Sequence, residues 1–467
     1  MEFDNLKSDL QSIIDSTLKY AKSLDSQAEF DIYLHYQSKS KVDIDQGVVN
    51  SSDGVVAGNA VRVVTGSRKE KKISFTSSSG IDLNRIKVNI KEALSLNNAI
   101  SVTDPRFQSF PDPQSGGKEG IFSDEILSTE TADLVPASLS LLKEAKIDAR
   151  IKTISVNQEI SYGGFAVGNT NGINNASRMT VGSSLIYCQA VDGEDRKDSY
   201  DYDISRKKIP NMEGRGIKTS NKALKLLGGK AFKESMSIPT IWDNIASACF
   251  IRSGIGAGIN GMPVVEGRSP LRDKIGETIA HKSLSITDDG QDPSFITTNA
   301  YDAEGLPQKT TPIIENGVFK SFIFNHYYSK IFGTESTGNC TRGGGAFPAS
   351  LPYESTPAIV GTTFSINPGT KSKEDLISEI DGKAVLIYEY PLGIFHSNVA
   401  TGEFSAVANA AYLIENGEII TPLKSASVSG SYYKGLQNIR TIGNNVELTT
   451  LGVKTPWLLI DGFSLVI

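Results

Sequence analysis

The sequence predicts an α+β protein: an N-terminal antiparallel sheet with helices, then a C-terminal half built on a large twisted antiparallel sheet or partly closed barrel. Three observations carry this. Amphipathic helices and strand-rich blocks alternate over the first 215 residues, and short hairpins rather than helical crossovers join the strands. The second half is richer in strand patterns. It also holds two Asn-Gly pairs, each flanked by apolar runs. Two domains follow, an α+β domain over 1–215 and a β-rich domain over 216–467.

Residues 6–24 place Leu6, Leu10, Ile13, Ile14, Leu18, Ala21 and Leu24 at three- and four-residue steps, one apolar helix face. Four strands are expected next, at 30–37, 41–49, 58–66 and 71–78, as an antiparallel meander with Gly/Ser/Asn-rich gaps. The basic run Arg68-Lys69-Glu70-Lys71-Lys72 reads as a solvated hairpin tip. A second amphipathic helix spans 82–96, with Leu83, Ile86, Ile90 and Leu94 on one face. "FQSFPDPQSGG" (107–117) breaks regular structure. A helix is expected across 130–146, and strands over 149–189 with a hairpin at Asn171-Gly172.

"DGEDRKDSYDYD" (192–203), with six acids, reads as a solvated loop or, less readily, a docking surface. "EGRGIKTSNKALKLL" (213–227) is a glycine-led helix at a domain junction, with anion binding as the alternative. "IIENGVFKSF" (313–322) and "LIENGEIITP" (413–422) each read as strand, Asn-Gly turn, strand. Matches this short do not make an internal duplication. A helix over 372–381 starts on Ser372, with Asp375 three residues on, and Gly382 closes it.

The chain has 467 residues, 39% hydrophobic and 21% charged, with a net charge of −6. That fits a globular chain and argues against a nucleic-acid groove, which needs clustered Lys and Arg. No apolar run approaches the roughly 18 residues of a membrane helix. The acidic start MEFDNLKSDLQSII has neither a cationic opening nor a cleavage site, so no signal peptide is expected. Cys188, Cys249 and Cys340 lie far apart, as reduced thiols in a cytoplasm would.

"RSGIGAGINGMP" (252–263) matches G-x-G-x-x-G at Gly256, Gly258 and Gly261. A dinucleotide site needs a strand running straight into the glycines and a helix starting on them. Here "IPTIW" (238–242) could be the strand, but the helical stretch 243–253 intervenes. The glycines then sit at a helix C-terminus, where the dipole repels phosphate. Pro263 and Pro270 argue against a helix starting on them. Close packing of a thin helix end against a sheet is the better account.

Other groups are scattered. His35, His281, His326 and His396 show no metal-ligand spacing. Asp288-Asp289 with Asp292 lacks the alternation of a calcium loop and reads as a turn at a strand end. Arg268 and Ser269 share a loop, and Ser269 as a nucleophile lacks an evident base. "TRGGGAFP" (341–348) is a glycine-rich loop that could cradle an anion, although a flap is the plainer reading.

Three segments carry a resemblance: "EGRSPLRDKIGETIAHKSLSITDDG" (266–290), "NAYDAEGLPQKTTPIIENGVFKSFIFNHYYSKIFG" (299–333) and "TGEFSAVANAAYLIENGEIITPLKSASVSG" (401–430). With their G-R-S, D-D-G, D-x-E-G, E-N-G and T-G-E-F-S motifs in this order, they resemble the TldD/PmbA family, also called the modulator-of-gyrase family. The resemblance implies a cytoplasmic two-subunit zinc metallopeptidase acting on unfolded peptides in an enclosed chamber. In that family the TldD-type subunit carries H-E-x-x-x-H on a helix, and a cysteine ligand near its C-terminus.

Counting back from Gly261, the motif falls on Arg252-Ser253-Gly254-Ile255-Gly256-Ala257, and the cysteine falls on Leu451. Arg252, Ser253, Ala257 and Leu451 would then be vestigial metal-site positions. None of them supplies a typical zinc ligand. The chain resembles the PmbA/TldE-type subunit, which lacks the metal motif. The resemblance implies no cofactor of its own, zinc in a TldD-type partner, and Gly256, Gly258, Gly261, Arg268 and Ser269 as possible peptide contacts. Two other readings stay open: a stand-alone hydrolase using Ser269, Cys340 or His396 in a non-metal site, and a homodimeric interaction module.

Overall fold

The computed structural model describes residues 5–67, 70–232, 234–343 and 350–467. The first helix, α1 (Leu6–Leu24), buries Leu6, Leu10, Ile14 and Ala21, the face its periodicity marks. The meander differs from expectation. Four short strands become three, because β1 (Glu29–Asp45) and β2 (Val48–Thr65) run unbroken through their polar stretches, and β3 (Lys72–Ser79) follows. β1 and β2 pair in one register from Glu29↔Val64 to Asp45↔Val48. A ladder is held by backbone bonds, so polar residues extend it where their side chains face water. The hairpin closes on Gln46 and Gly47, both at positive φ, 48° and 87°.

The expected solvated basic tip is corrected in part. Lys71 is an ion-pair partner of Glu29 and packs over the Phe107 ring. Arg68 and Lys69 lie outside the described residues.

α2 (Leu83–Ala99) starts on Asp82, whose carboxylate accepts from Arg85 N at 3.0 Å. Residues 107–117 are irregular, but Phe107 and Phe110 are buried. α3 (Asp124–Ser128) and α4 (Thr131–Ala145) lead into β4 (Ile151–Asn169) and β5 (Asn174–Asp192), joined by the expected hairpin at Asn171-Gly172.

The acidic segment 192–203 is not a solvated loop. Most of it is strand, β6 (Asp195–Ser205), hydrogen-bonded to β5. Alternation explains the correction. Lys197 and Ser199 point inward, while Arg196 and Asp198 point to water. The buried Lys197 ammonium donates to Lys424 O at 2.6 Å and to the carbonyls of Asn409 and Leu423 at 3.3 Å. The six strands form one antiparallel sheet in the order β3-β2-β1-β4-β5-β6. Helix α5 (Arg215–Leu226) packs on α4 and β5.

The C-terminal half spreads its strands over several twisted sheets rather than one. One six-stranded sheet orders Glu418–Pro422, Ala410–Glu415, Lys383–Tyr388, Thr240–Trp242, Leu458–Ile460 and Ile439–Ile442. Another orders Val318–Phe319, Thr310–Glu315, Ile286–Asp289, Phe364–Ile366, Val453–Thr455 and Glu447–Thr449. Two pairings are parallel, Thr240–Trp242 with Lys383–Tyr388 and Phe364–Ile366 with Val453–Thr455.

The two Asn-Gly turns form as expected, at φ 50° and 81° for Asn316-Gly317 and 49° and 82° for Asn416-Gly417. They lie in different sheets. The helix Lys373–Ser378 has the expected capping box of Ser372 and Asp375. The largest apolar cluster gathers between these sheets, with Trp242, Phe250, Phe404, Tyr432 and Phe463 in mutual ring contact.

Candidate functional site

One helix occupies the middle of this core. α6 (Asn244–Gly258) begins on buried Asp243, whose Oδ1 accepts from Ala246 N at 2.8 Å. Burial pushes the Asp243 carboxyl up to about 6, against the pull of its backbone hydrogen bonds. Almost every α6 side chain is buried; Arg252, Gly256 and Ala257 are among the few that are not. Arg252 and Gly256 are four residues apart, so they share a face.

The glycines serve close packing. A Cβ on Gly254 would lie 2.5 Å from the Tyr432 ring, and one on Gly258 would lie 2.4 Å from the Tyr433 hydroxyl. A Cβ on Gly261 would lie 2.2 Å from Phe324. Gly258 and Gly261, expected as peptide contacts, are therefore covered by aromatic rings of the same chain. Gly256 is looser, with Phe364 at 3.2 Å from such a Cβ.

The expectation that no helix starts on the glycines is corrected. α7 (Gly261–Val265) begins there, capped by Asn260, whose side chain accepts from Met262 N at 3.0 Å. Pro263 falls in its first turn, where an N–H has no helical partner to lose.

Ser269 is buried. Its hydroxyl donates to Gly258 O at 2.6 Å and accepts from Leu271 N at 3.1 Å, which fastens the end of α6. It is not a poised nucleophile. Arg268 is exposed and forms an ion pair with Glu266. Burial raises the Cys340 thiol well above its ordinary value, with Glu304 and Asp302 adding to the rise, so the thiolate is disfavoured. His396 is exposed, and His326 Nε2 donates to Ser109 O at 3.1 Å. Asp289 and Asp292 accept from the backbone N–H two residues on, as turn residues at a strand end do.

The expected vestigial positions are only partly brought together. The Glu447–Thr449 and Val453–Thr455 hairpin packs on α6. Gly452 is the residue beside Arg252: a Cβ there would lie 3.6 Å from the guanidinium. Leu451 instead lines a separate cavity of about 850 Å³ with Tyr187, Tyr200, Tyr388 and Tyr390. Ser253 is buried, and Ala257 is half-buried.

Arg252 lines another cavity, of about 350 Å³, between the first sheet and the C-terminal half. Its guanidinium stacks over Phe364, 5.5 Å from the centroid, and Nη1 lies 3.5 Å from Thr362 O. Burial draws its pKa down while the Asp288 charge holds it up. Asp288 is fully buried and accepts from Asn339 Nδ2 at 2.6 Å and Thr362 Oγ1 at 2.8 Å.

Zinc does not fit these residues. A guanidinium offers no lone pair, and alanine and glycine have nothing to offer. Among the described residues, no three His, Cys, Asp or Glu side chains gather as metal ligands.

Sequence reasoning did not bring the rest of the cavity wall together. Tyr33 and His35 come from β1, Asn299 from a loop, and Cys340 and Arg342 from the start of the glycine-rich loop. Gly344–Ala349 in that loop lie outside the described residues. No local pattern gathers these residues, because β1 lies more than 250 positions from Asn299 and from the Cys340–Arg342 segment. The sequence signals three of them only singly: His35 as an isolated histidine, Cys340 as a candidate of a non-metal site, and Arg342 by its place beside "GGG".

The fold and site define a class: an α+β chain whose second half wraps short sheets around a buried, glycine-rich helix. Residues 235–466 match the model of the PmbA/TldA metallopeptidase C-terminal domain. The chain belongs to the TldD/PmbA family.

It is 26% identical over 397 residues to an uncharacterized protein of Methanocaldococcus jannaschii, covering 84% of this chain and 86% of that one. It is 27% identical over 218 residues to the metalloprotease TldD homolog of Buchnera aphidicola, covering 46% and 43%. The chain thus spans less than half of that metalloprotease relative. In fold it is similar to TldE from Thermococcus kodakarensis, with a TM-score of 0.83 at 21% identity, covering 97% and 100%. No helix among the described residues is long and apolar enough to cross a membrane.

Proposed function

We propose that this chain is the non-catalytic subunit of a heterodimeric zinc metallopeptidase that cleaves unfolded peptides in the cytoplasm. The zinc belongs to a TldD-type partner carrying H-E-x-x-x-H. This chain supports the partner and shapes the chamber that admits peptide. One observation carries the reading: the open face of α6 bears Arg252, Gly256 and Ala257, and the cation at the first motif position lies over Phe364 beside Asp288. A protonated guanidinium there repels a divalent cation and cannot ligate it. The similarity in fold to TldE supports the same reading.

The test mixes the purified chain with a TldD-type subunit. Peptide cleavage is expected only in the mixture, together with a complex heavier than either chain. Cleavage by this chain alone, abolished by a chelator, overturns the reading. A chain that stays a homodimer and ignores the metal-bearing subunit overturns it as well.

A further inference from the structure

The cavity beside Arg252 contains more unused hydrogen-bonding capacity than a packed core tolerates. Arg342 is buried, with Nη2 on Asp31 at 3.2 Å and Nη1 on Ser355 O at 3.1 Å. Its Nε has no partner among the described residues. His35 Nε2 and Asn299 Oδ1 are buried and unpartnered in the same way. Burial, with Lys39 nearby, pushes His35 down to about 4, so its ring is neutral and can present an N–H through one tautomer.

The charges leave one guanidinium over. Arg62 and Arg342 share a single oxygen of Asp31, and Glu304 lies 3.8 Å from Arg62. Arg252 is left with its 3.5 Å contact to Thr362 O and a ring face. The acid nearest to it, Asp288, already accepts from Asn339 and Thr362, and burial favours its neutral form. Asp302 also lines the cavity, but its oxygens accept from the Glu304, Leu306 and Cys340 N–H groups, and burial raises its pKa too. Apolar lining comes from Phe165, Met179 and Val360.

We propose that this cavity binds the terminal carboxylate of a peptide whose last side chain is apolar. Arg252 is its chief cation, the Arg342 Nε–H a second donor, and the apolar lining receives the side chain. Resting on the subunit reading above, this makes the chain the anchor for one end of the substrate. A volume of about 350 Å³ has room for a terminal residue and its carboxylate, not for a folded segment. Bidentate pairing of guanidinium with carboxylate sets the orientation.

The experiment measures binding of the tripeptide N-acetyl-Ala-Ala-Phe to the full isolated chain by calorimetry, as free acid and as C-terminal amide. Inorganic phosphate and free phenylalanine serve as further probes. The acid is expected to bind at least tenfold tighter than the amide and than either small probe. Arg252→Gln is expected to erase the preference, while Arg85→Gln, at an exposed arginine of α2 outside the cavity, keeps it. Equal binding of acid and amide overturns the proposal, as does a preference that survives Arg252→Gln. Phosphate or phenylalanine binding as tightly as the acid peptide also overturns it. The acid–amide comparison uses the native chain, so it stands even if a variant fails to fold. Pairing with the metal-bearing subunit is read separately by mass. Loss of pairing with a retained acid preference overturns the subunit reading alone.

Discussion

The two halves of the chain reach stability by different routes. In the N-terminal sheet the four strands β1, β2, β4 and β5 run 17 to 19 residues and pair with antiparallel neighbours. β4 and β5 mostly alternate between buried and less buried residues. The C-terminal strands are six residues or shorter, fall into several sheets, and include two parallel pairings. A long hairpin is specified by its own turn and pleat. A three-residue strand such as Thr240–Trp242 is specified by what packs on it, here the aromatic cluster and α6. Substitutions in the second half should therefore be felt over longer distances than those in the first.

The largest effect is expected where the halves meet. Asp31→Ala leaves the buried Arg62 and Arg342 without their shared carboxylate, and a broken buried pair costs about 3–5 kcal/mol. Urea denaturation should show both halves losing stability together; loss confined to the N-terminal sheet would break the contrast. Gly254→Ala comes next. Its new methyl meets the buried Tyr432 ring, and overpacking of this kind costs roughly 1–3 kcal/mol. A neutral result in urea would mean that the α6 glycines are not packing residues.

An acid-to-alkaline series sharpens the comparison at the junction. Asp243 is pushed up to about 6 and Glu389 to about 7, both by burial. Their folded values exceed the unfolded ones, so the stabilisation from proton binding is full below about pH 4. It is lost as pH rises through the folded values. Buried His35, held down to about 4, acts in the opposite sense between there and its ordinary 6.5. Glu389→Gln should flatten the decline between about pH 4.5 and 7 in denaturation midpoints. An unchanged slope would remove Glu389 from the account.

The two Asn-Gly turns give a smaller, paired test. Gly317→Ala and Gly417→Ala impose the same strain at φ 81° and 82°, about 1–2 kcal/mol. The Gly317 methyl would also lie 2.5 Å from Ala280 O, whereas the Gly417 methyl would meet Ser378 at 3.1 Å. Gly317→Ala should therefore lower the melting temperature more. Smallest of all is Val49→Ser at the exposed end of β2, expected within about 0.5 kcal/mol of the native chain. A larger loss there would show that the hairpin tip is covered in solution.

Patterns acting within some twenty residues were legible in the sequence. They include the amphipathic face of α1, the Asn-Gly hairpins, the Ser372–Asp375 capping box and the alternation of helices with hairpin-joined strands. In α2, Ile86 and Ile90 are buried as marked, but Leu83 is exposed and Ala93 is buried instead. The resemblance to the family, rather than a pattern within the chain, singled out Arg252, by counting the partner-type motif back from Gly261. It read β6 as a loop, since acids interspersed with bases look solvated until the inward turn of Lys197 and Ser199 is seen.

Only the tertiary structure decided that the glycines of α6 face aromatic rings, that Gly452 rather than Leu451 lies beside Arg252, and that Arg342, His35 and Asn299 share its cavity. The physical reason is range. Helical periodicity, pleat and turn chemistry are set by neighbours along the chain. Burial, charge pairing and cavity walls depend on which distant segments the core brings together.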